Sequence, residues 1–118
     1  MDLFKWGRGE GQKARFEQAE QPVGQTMIWM CEKCGSKLSS DEHNNPTRLV
    51  QKALKSIISE HKDKRNMRAM VSTCMNMCPK EKIAASIVNL KSGQTRFIAF
   101  EVTEPVEQIA LNLYKELQ

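Results

Sequence analysis

Four cysteines in two close pairs are the residues of this 118-residue chain whose types and spacing best suit chemistry. The first pair reads Met30-Cys31-Glu32-Lys33-Cys34-Gly35. The second reads Thr73-Cys74-Met75-Asn76-Met77-Cys78-Pro79, and no other cysteine is present. Lone cysteines are often small buried hydrophobes, but two tight pairs with none elsewhere point to a site. Three chemistries are open. Zinc favours four thiolates in a tetrahedron, and Cys31-x-x-Cys34-Gly35 looks like one knuckle of a zinc ribbon. The second pair does not match a knuckle, because three residues intervene and Pro79 follows. A thiol–disulfide site could use Cys31 and Cys34. That chemistry wants its attacking cysteine at a helix N-terminus, whereas about ten loop residues are expected after Cys34, and Cys74 and Cys78 are left without a role. A [2Fe–2S] cluster, each iron held by two cysteines, uses all four.

The elements that must position these thiols follow from apolar periodicity. Thr26-Met27-Ile28-Trp29-Met30 is a short apolar run that fits a buried strand ending at the first pair. Residues 35–44 are rich in Ser, Asp, Asn and His and are expected to be loop. A helix then opens with Asn45 as cap and Pro46 in the first position. Leu49, Val50, Ala53, Leu54, Ile57 and Ile58 share one face of it, with Arg48, Lys52 and Lys55 on the other, as far as about Lys62. A second strand over 67–73 alternates Met67, Ala69 and Val71 and runs into the second pair. Strands over 83–90 and 95–102 flank Lys91-Ser92-Gly93-Gln94, a hairpin turn. Pro105 opens a last helix with Val106, Ile109, Ala110, Leu113 and Leu117 as its buried stripe.

The expected fold is therefore α/β, in the order β-α-β-β-β-α: a four-stranded mixed sheet covered by two helices. The first two strands belong to a right-handed βαβ unit and should be parallel. Cys31 and Cys74 each follow a strand, so the pairs, separated by 39 residues, should meet at one edge of the sheet. Ligands commonly sit outside the carboxyl ends of parallel strands.

Residues 1–24 read as a polar appendage, flexible or weakly helical over 13–20, with Phe4, Trp6 and Phe16 available to dock it. Residues 25–118 form the domain. The formal net charge is +4, and it is uneven. Residues 41–68 hold seven basic and four acidic groups, so +3, centred on His61-Lys62-Asp63-Lys64-Arg65-Asn66-Met67-Arg68. Such a run is usually a solvated helix end; an acidic partner surface or nucleic acid is the alternative use. No run approaches the roughly 18 apolar residues of a membrane span. The charged start, with Asp2, Lys5, Arg8 and Glu10, does not fit a secretory signal, so the cysteines are expected to be cytoplasmic thiols, not disulfides.

Over residues 25–118 the chain resembles the thioredoxin-like [2Fe–2S] ferredoxins, a family related to the thioredoxin-like small subunit of respiratory complex I. The resemblance rests on the cysteine after the first strand, the βαβ unit, Cys74-x-x-x-Cys78 after the second strand, the hairpin at 83–102 and the helix from Pro105. It implies a thioredoxin-like sandwich and a [2Fe–2S] cofactor with Cys31, Cys34, Cys74 and Cys78 as ligands. It also implies one-electron transfer between redox partner proteins rather than enzyme catalysis, and a homodimer. Two features depart from the family. Its first two ligands are usually further apart than Cys31 and Cys34, and its partners often read an acidic face. Lys33, Lys37, Lys80 and Lys82 flank the two pairs and would offset cluster charge, with Met30, Met75 and Met77 as its wall. The competing function is a zinc-stabilised binding module using the basic 61–68 segment.

Overall fold

A computed structural model describes residues 15–39 and 41–118. The order is β1 (Thr26–Cys31), α1 (Glu32–Leu38), a 3-10 turn (Glu42–Asn44), α2 (Pro46–Glu60), β2 (Met67–Ser72), β3 (Ile83–Asn89), β4 (Thr95–Phe100) and α3 (Val106–Leu117). The described residues thus form a mixed α/β fold with a four-stranded mixed sheet and three helices, one more than expected. The sheet runs β2-β1-β3-β4, with β1 parallel to β2, and β3 antiparallel to both β1 and β4.

The third helix is the main departure, because α1 occupies residues expected to be loop. Its sequence, with Gly35, Ser36 and no apolar stripe, carries little helical signal. Neighbours hold it instead. Cys31 caps its N-terminus. The Asn45 amide donates to the Glu32 carbonyl at 3.1 Å and to Ser36 Oγ at 3.2 Å, and Arg48 pairs with Glu32. The Asn45 carbonyl oxygen meanwhile caps α2, accepting from the Thr47 N–H at 2.9 Å.

α2 buries Val50, Leu54 and Ile58. Leu49, expected on the same face, is 37% exposed at its margin. α3 buries Ile109, Ala110, Leu113, Leu117 and also Tyr114. The two helices pack together over the face of the sheet that carries Ile28, Met30, Met67, Ala69, Ala85 and Ile87. By strand alternation the opposite face carries Met27, Trp29, Met70, Val88 and Phe97.

The appendage meets the domain earlier than expected. Val23 is buried, and the Gly24 N–H donates to the Arg65 carbonyl at 2.7 Å. Residues 15–20 contain no helix, so of the two expectations for 13–20, flexible or weakly helical, the helical one is not met over these residues, and Phe16 is 90% exposed. Phe4, Trp6 and the rest of 1–14 lie outside the described residues. Among those described, no helix is long and apolar enough to cross a membrane.

Candidate metal centre

The register fixes where the two pairs meet. Cys31 is the last residue of β1 and stands opposite Ser72, the last residue of β2. Cys74 lies two residues beyond Ser72, on the same edge of the sheet. Two sulfur contacts then join the segments. The Cys31 thiol points at the Thr73 carbonyl, with S···O 3.8 Å. The Cys34 thiol points at the Met77 carbonyl, also 3.8 Å. Each thiol of the first pair thus contacts the residue directly before a cysteine of the second. All four cysteines are free thiols, with Cys31 and Cys34 buried and Cys74 and Cys78 exposed.

The first pair is held by its backbone. The Cys34 N–H donates to Cys31 Sγ at 3.4 Å, the N–H···S contact that stabilises a thiolate. The buried Thr47 hydroxyl donates to the Cys31 carbonyl at 2.8 Å. Gly35 lies flat against these supports. A Cβ there would fall 2.2 Å from Asn45 Oδ1 and 2.4 Å from Thr47 Oγ1. Asn45, Thr47 and Gly35 are the supporting residues that spacing alone misses. Asn45-Pro46-Thr47 reads only as a helix start, and its second role needs α1 in place.

Burial pushes the Cys34 thiol up, as do its hydrogen bond with Cys31 and the charges of Cys31 and Cys78; a hydrogen bond from the Ala84 backbone pulls it down. The second pair sits on an open segment, 73–82. Asn76 and Glu81 adopt positive φ there, 57° and 58°, a conformation that asparagine enters readily and glutamate seldom does. A cavity of about 320 Å³ between the segments is lined by Cys34 and Cys78, with Lys37, Lys80 and Lys82 at its rim. Met30 is fully buried in the core, and Met75 and Met77 are half-buried against it. Lys33 is exposed.

Among the described residues, no three His, Cys, Asp or Glu side chains are gathered tightly enough to hold a metal. The donor chemistry nonetheless fits a thiophilic centre: four thiols in two adjoining segments, an N–H aimed at sulfur, and cations at the opening. The structure also removes one objection to a dithiol site. No ten-residue loop follows Cys34, because Cys31 caps α1 and Cys34 lies in its first turn. Cys31 and Cys34 are, however, both buried, whereas thiol exchange needs an attacking thiol that a second protein can reach. Comparison with protein families, curated proteins and solved structures finds no match to this chain.

Proposed function

We propose that the chain is an iron–sulfur protein of thioredoxin-like fold, and that Cys31, Cys34, Cys74 and Cys78 bind a [2Fe–2S] cluster. One observation carries this reading. The Cys31 and Cys34 thiols contact the Thr73 and Met77 carbonyls, which supports one site built from the two segments that carry the pairs. The sheet order and the parallel β1–β2 pair support the fold assignment. The cluster would supply one-electron transfer between partner proteins. Cys31 and Cys34 form the buried half of the ligand set, fixed by the Thr47 and Asn45 hydrogen bonds. Cys74 and Cys78 form the exposed half, carried on segment 73–82 beside the first pair. Lys37, Lys80 and Lys82 offset the negative charge of the thiolates. Met75 and Met77 exclude water from the centre.

Zinc in the same four thiols is the second reading, favoured by the Cys34 N–H···Sγ contact of the first pair. It would make the domain a redox-silent binding module. Anaerobic purification separates the two. The iron–sulfur protein is coloured and contains equimolar iron and inorganic sulfide, and Cys78→Ser loses both. Colourless protein holding zinc and no iron overturns the proposal.

A further inference from the structure

A second surface lies away from the cysteine edge. The groove between α2 and the edge strand β2 is a cavity of about 700 Å³. Ile58, Met67 and Ala69, all nearly buried, close its base, and Met70, 39% exposed, is the apolar side chain it presents to solvent. Lys52 and Lys55 of α2, Lys64 of the connecting turn and Arg68 of β2 line its walls. Among the described residues none of these four cations forms an ion pair. The nearest acidic neighbour in sequence, Asp63, is engaged by the Tyr114 hydroxyl. A purely solvated helix face does not need a cavity with an exposed methionine beside its lysines.

We propose that this groove docks an acidic segment of a partner protein, one that carries apolar side chains among its carboxylates. Charge complementarity selects the occupant: four cations and an exposed methionine match carboxylates flanking a hydrophobic anchor. Single-stranded nucleic acid fits less well, since bases stack on aromatic side chains and no aromatic residue lines the groove. Addition of a strand to β2 is disfavoured as well. Gln51 Nε2 already donates to the outward Ala69 carbonyl at 3.1 Å, which blunts the edge. Recognition therefore runs through side chains, and it is independent of any metal at the cysteines.

The test uses the full chain and a fluorescein-labelled eight-residue peptide alternating Glu and Leu. Anisotropy should show saturable binding that weakens as salt rises. The double variant Lys52→Glu/Lys55→Glu should bind at least roughly tenfold more weakly. Lys91→Glu/Lys115→Glu makes the same change in net charge elsewhere and should leave binding intact. Three results overturn the proposal: no saturable binding, equal loss in both double variants, or tighter binding of a single-stranded DNA oligonucleotide of the same charge.

Discussion

At the scale of single residues, the two cysteine pairs and the sheet edge their segments share are legible in the sequence, and the burial of one pair against the exposure of the other is not. Pair spacing and strand ends are local signals, and the parallel β1–β2 register turns them into proximity. Burial of Cys31 and Cys34 against exposure of Cys74 and Cys78 depends on α1, which has no readable apolar period. Gly35 illustrates the same limit. Nothing in Cys34-Gly35-Ser36 says that Asn45 and Thr47 press against its Cα. Gly35→Ala should destabilise the protein by about 1–3 kcal/mol, the usual penalty for overpacking a filled site. Urea unfolding measures it. Because the displaced groups hold the Cys31 carbonyl and cap α2, metal content should fall with stability. An alanine variant as stable as the parent would show that the Asn45–Thr47 support is loose.

At the scale of elements, boundaries read from periodicity agree with the structure to within two residues for the four strands and the two long helices. The reason is physical: β1 and β2 bury alternating residues, β3 is buried on both faces at its start, and α2 and α3 bury stripes, so burial and pattern coincide. α1 fails that test because polar contacts define it. The end of α2 offers a measurable consequence. The Lys62 N–H donates to the Ser59 carbonyl at 3.0 Å and the Asp63 N–H to the Ile58 carbonyl at 2.9 Å. Together these bonds form a Schellman closure with Lys62 at φ 57°. A lysine in that left-handed conformation is strained by about 1 kcal/mol. Lys62→Gly should recover about 0.5–1 kcal/mol, offset in part by the greater freedom of glycine in the unfolded chain. A rise in thermal midpoint checks it, and a fall would mean that the lysine side chain itself stabilises the turn.

At the scale of the whole molecule, two long-range bonds tie the last helix to the βαβ half. Thr26 Oγ1 donates to the Leu117 carbonyl at 3.0 Å, and the Tyr114 hydroxyl donates to Asp63 Oδ2. Accepting by the Asp63 carboxylate pushes the Tyr114 pKa up from 10.0, and burial adds to the rise. A tyrosine with a raised folded-state value keeps its proton to higher pH in the folded than in the unfolded chain. Its stabilising effect is therefore complete below pH 10 and is lost as pH climbs through the folded value. Unfolding free energy measured from pH 8 upward should fall across that window in the parent and more shallowly in Tyr114→Phe. Equal slopes would mean that the hydroxyl does not couple the two halves.

The central claim concerns the thiols. Electron paramagnetic resonance after one-electron reduction of the anaerobically purified full chain tests it most directly. The account predicts a paramagnetic iron–sulfur signal in the reduced parent and none in Cys74→Ser or Cys78→Ser, because both exposed cysteines complete the ligand set. A reduced parent that stays silent, or a signal that survives both substitutions, would contradict it.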